Sequence, residues 1–287
     1  MMIDGHKLSA VICARNDDYG GFLKERATIC LASMLDTFDE VIYIDWNSEG
    51  KNLIEELGDN IPKTDRLKYY IITPEQHKEF TNNDPDAQKV VEVLARNIGI
   101  RRATGDIVVS TNIDVVSPPK QWLELFFNNI YNKDMAYTFA RRNTEIQNIV
   151  EIDLKRPLKV RDYLIKNMWK INPKGVEPGW SRILGCGDFQ LATKEQWAKV
   201  KGFEEDMMYR MVADSQVQMK MINNNIFVVG LFDYPLFHLD HNMTTSGGGG
   251  AKGGKINRNF RKQCIVEETR NKDTWGFSDI TFEEHTK

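Results

Sequence analysis

Residues 95–114 read Ala95-Arg-Asn-Ile-Gly-Ile-Arg-Arg-Ala-Thr-Gly-Asp-Ile-Val-Val-Ser-Thr-Asn-Ile-Asp114, and this stretch decides the fold. Its first part ends a helix predicted over about 86–103, in which apolar residues recur at helical spacing. An apolar strand follows at 106–111 and ends on polar residues. A helix that leads into a strand with a polar end is typical of an open α/β sheet, where ligands bind beyond the carboxyl ends of the strands.

The rest of the chain alternates in the same way. Upstream, the apolar runs predict helices over 22–35 and 52–57 and strands at Leu8–Ala14, Val41–Asp45 and Leu67–Ile72. Downstream, they predict helices over 121–131 and 214–223 and strands at 136–141, 189–192 and 226–232. The pattern predicts an α/β fold with a mixed, mostly parallel sheet flanked by helices.

The composition is that of a globular protein, with 287 residues, 41% of them hydrophobic and 28% charged, and a formal net charge of −3. This apolar content excludes a disordered acidic chain. The four cysteines form no Cys-x-x-Cys pair, which excludes a disulfide scaffold and favours the reducing cytoplasm. No apolar run approaches the ~20 residues that span a bilayer, so we expect no transmembrane segment.

Polar side chains follow three of the predicted strands. They are Arg15-Asn16 after the first strand, Asp45-Trp-Asn47 at the end of the second and Asn112-Ile-Asp114 after the fourth. Because ligands of open α/β sheets bind outside the carboxyl ends of the strands, these three clusters predict one shared crevice.

Asn112 and Asp114 would share one face of an extended chain. A carboxylate beside an amide suits a hard divalent cation held against phosphate oxygens. The alternative is that Asp114 caps the helix that begins near Pro118 or Pro119. His238, which follows the last apolar strand, is a second candidate ligand; a hydrogen-bonding histidine at a strand end is the alternative.

Asp214 stands at the start of a predicted helix. It is either a functional carboxylate or an N-terminal residue favoured by the helix dipole. The sequence lacks the glycine patterns of a P-loop, of a dinucleotide-binding turn and of a nucleophile elbow, which sets those three chemistries aside.

Taken in order, these clusters resemble those of glycosyltransferases with the GT-A fold, most of all enzymes of the family 2 type. The resemblance covers about residues 8–242. It rests on the opening strand 11–16, the second strand 41–48, the stretch 95–106 that leads into an Asp-x-Asp motif, the segment 185–191 and a Gly-Phe-acidic turn at 200–205.

The chain departs from the family pattern at three places. The first Asp of Asp-x-Asp is Asn112, the usual Glu-Asp pair is Ala213-Asp214, and the usual Asp-Asp after the second strand is Asp45-Trp46. These departures bear on metal affinity and on the identity of the donor.

The resemblance implies a nucleotide-sugar donor, a UDP sugar, and transfer to an acceptor hydroxyl with inversion. Asp214 matches the catalytic base, and Asp188 is the second candidate. Asp114 and His238 match ligands of Mn²⁺ or Mg²⁺, and a histidine ligand favours Mn²⁺. The residues expected to bind the nucleotide sugar are Ala14, Arg15, Asn16, Asp45, Asn47, Asn97, Arg101, Asn112 and Trp180. For Trp180, stacking on a sugar ring and packing in the core remain alternatives.

Two domain segments are predicted. Residues 1–242 would form the GT-A domain, and residues 243–287 a Gly-rich basic loop and a C-terminal tail packed on the same domain. Six glycines fall between Gly247 and Gly254, and residues 242–266 hold five basic residues and no acidic one. This segment is either a cationic loop that closes over the diphosphate and excludes water, or a surface linker.

Three acceptors remain alternatives: a glycan, a lipid-linked sugar and modified DNA. A bacteriophage-type DNA glycosyltransferase, which modifies a hydroxylated base, is an alternative because the basic segment could contact DNA phosphates. The net charge of −3 counts against it. A non-catalytic sugar- or nucleotide-binding module with the same fold is a further alternative, favoured by the degraded motifs.

Overall fold

The computed structural model describes residues 3, 5–145, 155–168, 187–208, 213–241 and 270–287. Trp180, the glycine-rich stretch 247–254 and the basic segment 242–266 lie outside these residues. The predictions made for them therefore stay predictions.

The amino-terminal half is a series of strand–helix units. Its elements are β1 (Leu8–Ala14), α1 (Leu23–Thr37), β2 (Glu40–Trp46), α2 (Leu53–Leu57), β3 (Leu67–Ile72), α3 (Pro74–Phe80), α4 (Glu92–Arg102) and β4 (Ile107–Thr111). All four predicted strands are confirmed. Helix α4 begins later than predicted, because turns occupy the residues before it; the N–H of Asp86, for example, donates to Asp84 Oδ1 at 2.8 Å.

The second half adds the remaining strands and helices. They are β5 (Val115–Val116), α5 (Lys120–Asn129), β6 (Met135–Glu145), α6 (Pro157–Lys166), β7 (Phe189–Thr193), α7 (Lys194–Lys199), α8 (Ala213–Asn223), β8 (Phe227–Asp240) and β9 (His285–Thr286). The main difference from prediction is β8, which continues past Phe232 to Asp240. His238 therefore lies inside a strand rather than after one.

The described strands form one nine-stranded sheet in the order β5-β8-β6-β7-β4-β1-β2-β3-β9. Strands β4, β1, β2 and β3 are mutually parallel, as are β6 and β8. Strand β7 is antiparallel to both of its neighbours, and β5 and β9 close the edges in antiparallel pairs. The predicted mixed α/β sheet flanked by helices is confirmed.

Apolar side chains fill both faces of the sheet. One cluster lies under α1, α2 and α5, and the other under α4, α7 and α8. Successive residues of β1, such as Val11 and Ile12, enter opposite clusters, as the two-residue period of a strand requires. Among the described helices, none is both long enough and apolar enough to cross a membrane.

Two glycines of the opening stretch let helix α4 and the turn after it approach β1. A Cβ on Gly99 would overlap the side chain of Val11, and a Cβ on Gly105 would lie 2.6 Å from Ser9 Oγ. This close packing fixes where α4 ends and where β4 begins. It therefore sets the position of the polar residues beyond β4.

Residues 270–287 pack on the same body. Strand β9 pairs with β3. The guanidinium of Arg102 donates hydrogen bonds to the carbonyl oxygens of Gly276, Phe277 and Ile280. This part of the predicted tail thus contacts the domain, whereas the predicted boundary at residue 242 stays a prediction.

Candidate active site

The carboxyl ends of β1, β2, β4 and β8 meet at one edge of the sheet. Ala14 lies opposite Asp45, and Val11 lies opposite Ser110. Strand β8 reaches the same edge because it runs in the direction of β4, and β5 pairs with it so that Val115 faces His238. We distinguish three groups: the nucleotide-side cluster (Ala14, Arg15, Asn16, Asp45, Asn47), the metal cluster (Asp114, His238, His241) and the carboxylate cluster (Asn112, Asp188, Asp214).

The nucleotide-side cluster is held largely by nearby backbone. The side-chain amide of Asn16 donates to the carbonyl of Lys51 at 3.0 Å, and that of Asn47 donates to the carbonyl of Lys89 at 3.1 Å. Arg15 forms a 2.7 Å ion pair with Glu49, whose side chain is 81% exposed. Water therefore competes with Arg15 for the Glu49 carboxylate, which weakens this ion pair.

Asp45 is fully buried and bound to α2. Its Oδ2 accepts hydrogen bonds from the N–H of Leu53 at 2.9 Å and from the hydroxyl of Tyr43 at 3.0 Å. Burial raises the pKa of Asp45, although these hydrogen bonds act in the other direction. Its Oδ1 is buried without a hydrogen-bond partner.

In the metal cluster, Asp114 lies between two imidazoles. Its Oδ1 is 3.5 Å from His238 Nε2, and its Oδ2 is 3.0 Å from His241 Nε2. One ligand atom from each residue lies within 4.8 Å of the others. The N-cap position of α5 is occupied by Pro119, so Asp114 is not the N-cap residue of that helix.

Charge interactions in the metal cluster outweigh burial. Burial opposes ionisation of Asp114, but the two adjacent histidines hold its pKa well below its usual range. Burial likewise opposes protonation of His238, and the Asp114 carboxylate nevertheless raises its pKa. The other ring nitrogen, Nδ1, lies 3.2 Å from Asp240 Oδ1. A carboxylate at that position orients the imidazole, as is common for metal-binding histidines.

Arg26 of α1 lies directly against the metal cluster and is fully buried. Its guanidinium is 3.5 Å from Asp114 Oδ2 and donates to the carbonyl oxygens of Gly21, at 3.1 Å, and Tyr19. The ring of Tyr19 packs edge-on against His241 at 5.1 Å. Arg26 thus fixes the loop after β1 next to the metal cluster.

In the carboxylate cluster, the amide of Asn112 is bound at both ends. Its Nδ2 donates to Asp188 Oδ1 at 2.8 Å, and its Oδ1 accepts from Arg96. The second oxygen of Asp188 pairs with Arg141. An aspartate at position 112 would place a second negative charge against Asp188, so an amide, which can both donate and accept, suits this position.

Asp214 lies in the first turn of α8, beside Arg96, whose NH1 is 3.8 Å from Oδ1. A Cβ on Gly187 would overlap the Asp214 carboxyl group, so a glycine there permits the close approach. Although 45% of the side chain is exposed, the backbone at Gly187 lies against the carboxyl group and excludes water from that side. This desolvation raises its pKa to about 6; Arg96 acts against the shift, whereas Glu92 and Asp188 add to it.

Two predicted nucleotide-binding residues lie on another face of α4. Asn97 is fully buried, and its amide donates to the carbonyl of Phe203 at 2.8 Å and to Glu205 Oε1 at 3.1 Å. The guanidinium of Arg101 lies 5.0 Å from the ring of Trp275. The structure therefore places both residues at contacts with the 203–205 turn and the C-terminal segment.

Sequence reasoning missed Arg96 and the contact of His241 with Asp114. Glu92 and Arg96, four residues apart, mark the helix face that points to the site, and this spacing was the available signal. His241 follows the last residue of β8, so its direction depends on how the chain leaves the strand. The three-residue spacing between His238 and His241 is visible in the sequence, but outside a helix this spacing does not predict that the two imidazoles share a ligand.

No protein-family model and no curated protein matches the sequence. Solved structures do match. A 1–349 fragment of S. aureus TarS has a TM-score of 0.55 at 13% identity, over 94% of this chain and 68% of that one. That fragment was also solved with UDP and with UDP-GlcNAc.

Two other glycosyltransferases share the architecture. The mannosyltransferase PcManGT from Pyrobaculum calidifontis, solved with GDP-Man and Mn²⁺, gives a TM-score of 0.50 at 15% identity, over 96% of this chain and 64% of that one. GalNAc-T7, solved with UDP, GalNAc and Mn²⁺, gives 0.54 at 11% identity, over 91% of this chain and half of that one. At such identities the likeness establishes the fold: the chain has the GT-A fold of nucleotide-sugar glycosyltransferases.

Proposed function

We propose that this chain is a metal-dependent, inverting glycosyltransferase that moves a sugar from a UDP sugar to an acceptor hydroxyl. The observation that carries the proposal is the convergence of Asp114, His238 and His241 at the edge where β1, β2, β4 and β8 end. In open α/β sheets, this edge is where ligands bind. The proposal goes beyond the fold that the comparisons establish.

The donor atoms of the metal cluster fit Mn²⁺. One carboxylate and two imidazoles suit it better than Mg²⁺, which prefers oxygen ligands. Asp114 Oδ1 is buried and accepts no hydrogen bond, which is typical of an atom that serves a ligand. Asp114, His238 and His241 would hold the ion. When bound, it would offset the negative charge that develops on the diphosphate leaving group.

Asp214 is the proposed base. Its side chain is 45% exposed, and a pKa of about 6 suits proton transfer near neutral pH. Both oxygens of Asp188, in contrast, are engaged by Asn112 and Arg141. As the acceptor oxygen attacks the anomeric carbon, Asp214 takes its proton, and the bond from that carbon to the diphosphate oxygen breaks with its electron pair leaving on the diphosphate. A single direct displacement inverts the configuration.

The nucleotide-side cluster is the proposed nucleotide site. A guanidinium binds phosphate through paired hydrogen bonds, and Arg15 is held by an exposed glutamate that a phosphate can replace. A UDP sugar is proposed because TarS and GalNAc-T7 were both solved with UDP.

Release of UDP from UDP-GlcNAc, with water as acceptor, tests the proposal most directly. We expect release with Mn²⁺ and none with EDTA, and a higher melting temperature with donor and Mn²⁺ together. GDP-mannose serves as the second donor. Stabilisation without any release would favour the non-catalytic binding module, and neither response to any donor would contradict the proposal.

Asp114→Asn is the matched variant for the metal. It should abolish the Mn²⁺-dependent release, because it removes the carboxylate that both histidines face. Asp134→Asn, at an exposed position, is the control for losing one carboxylate and should leave release unchanged. Glycan, lipid-linked sugar and duplex DNA acceptors are then compared by the rate of UDP release that each adds.

A further inference from the structure

Arg96 is a buried arginine that contacts side chains from three parts of the molecule. Its NH2 pairs with Glu92 of the same helix at 3.0 Å and donates to Asn112 Oδ1. Its NH1 lies 3.4 Å from Ser110 Oγ and 3.8 Å from Asp214 Oδ1. One guanidinium thus touches α4, the end of β4 and the start of α8.

These partners distinguish Arg96 from a packing arginine. Arg102, on the same helix, binds three backbone carbonyls of the C-terminal segment and so joins two parts of the fold. Arg96 contacts instead two side chains of the carboxylate cluster, Asn112 through a hydrogen bond and Asp214, the proposed base, through charge. Burying a guanidinium costs hydration, and Glu92, at 54% exposed, is a weakly held partner.

We propose that Arg96 is a positioning residue that holds Asn112 and Asp214 in register and keeps Asp214 ionised; this inference rests on the proposed role of Asp214 as the base. A planar fork of donors can bind Asn112 with one nitrogen and face Asp214 with the other. A lysine ammonium is a single point and cannot do both. The amide of Asn112 in turn orients Asp188, to which it donates a hydrogen bond at 2.8 Å.

The charged side chains around Asp214 determine the direction in which its pKa should shift when Arg96 is replaced. Arg96 of α4 and Arg141 of β6 favour the ionised carboxylate, whereas Glu92 of α4 and Asp188 before β7 oppose it. Removing the charge of Arg96 leaves two anions and one cation. The pKa of Asp214 should therefore rise, and the acidic limit of kcat should move to higher pH with it.

The test measures the carboxyl group itself. The full chain is labelled with ¹³C at the aspartate carboxyl carbons, and the Asp214 signal is assigned by its loss in Asp214→Asn. We expect Arg96→Gln to raise the titration midpoint by about one pH unit, as loss of one adjacent opposite charge does. Arg102→Gln, the matched control on the same helix, should leave the midpoint in place. Equal midpoints in the two variants would overturn the inference.

A second variant, Arg96→Lys, keeps the positive charge but loses the geometry of the guanidinium. It also provides a test if Arg96→Gln does not fold. Arg96→Lys should move the midpoint less than Arg96→Gln but still lower kcat for UDP release about tenfold, with the KM for UDP-GlcNAc unchanged, because the fork to Asn112 is lost. An Arg96→Lys variant with wild-type midpoint and kcat would overturn the inference. The titration needs no activity, so absence of UDP release in the wild type would refute the proposed function alone.

Discussion

The nucleotide-side cluster and the metal cluster share one edge of the sheet but are built differently. In the first, side chains are bound mainly to nearby backbone, as Asn16 is to Lys51 and Asp45 is to Leu53. In the second, Asp114 meets two imidazoles that are distant in sequence, one in β8 and one just after it. The contacts of the metal cluster are made among side chains, so a ligand can replace them without disturbing the backbone.

This difference separates side chains that backbone groups hold in place, such as Asn16, from side chains whose partners a ligand can replace, such as Asp114 and Arg15. A buried amide whose donors and acceptor are bound by the protein has little left for a substrate. A carboxylate with a buried, unpaired oxygen or an open face is available for chemistry. Substitutions of residues bound by the protein should therefore lower the free energy of unfolding. Substitutions of residues available to a ligand should lower turnover or metal affinity.

Outside the metal cluster, the largest expected effect is at Asp214. Asp214→Asn should lower kcat by roughly 10²–10⁴-fold, because the amide cannot accept the proton. In the wild type, kcat should fall as pH drops below about 6, where the base becomes protonated, and the variant should lose this dependence. UDP release measured from pH 5 to 8 checks both. Near-normal turnover in Asp214→Asn, with the large loss found in Asp188→Asn, would move the role to Asp188.

A smaller effect is expected at Asp240, which contacts a histidine of the metal cluster without belonging to it. Asp240→Asn should weaken Mn²⁺ binding about 10–100-fold, because the His238 ring loses the carboxylate at Nδ1. Calorimetric titration with Mn²⁺ measures the change. Asp279→Asn, at an exposed position, is the control. Unchanged affinity would show that the rest of the protein already orients His238.

The smallest effect on activity is expected at Asn97. Asn97→Ala should lower the free energy of unfolding by about 1–3 kcal/mol, since it leaves the buried N–H of Phe203 without its acceptor. The Phe203 carbonyl also loses one donor but keeps the amide of Asn271. Urea unfolding measures this loss, and Asn129→Ala, on an exposed helix surface, is the control. The KM for the donor should stay constant. A large rise in KM with stability intact would restore Asn97 to the nucleotide site.

Much of the fold was accessible from the sequence because its signals are local. Strands β1 and β3 have the predicted ends, since each is a mainly apolar run that begins after a basic residue and ends before a polar one. The face of α4 was harder to predict. Asn97 and Arg101 share one face by helical spacing, and so do Glu92 and Arg96, but only packing against β1 decides which face points at the site.

The sequence by itself determined the α/β class, the strand ends that form the crevice, and Asp114 and His238 as candidate ligands, because period, polarity and order along the chain are local properties. Only the tertiary structure decided that His241 joins them and that Arg96 connects Asn112 with Asp214. The first depends on strand pairing: β5 lies against β8, so the residues after β4 and those at the end of β8 face each other. The second depends on how α4 and α8 pack beside the end of β4. Such contacts between distant segments follow from the register of the sheet and the packing of its helices, which no single stretch of sequence specifies.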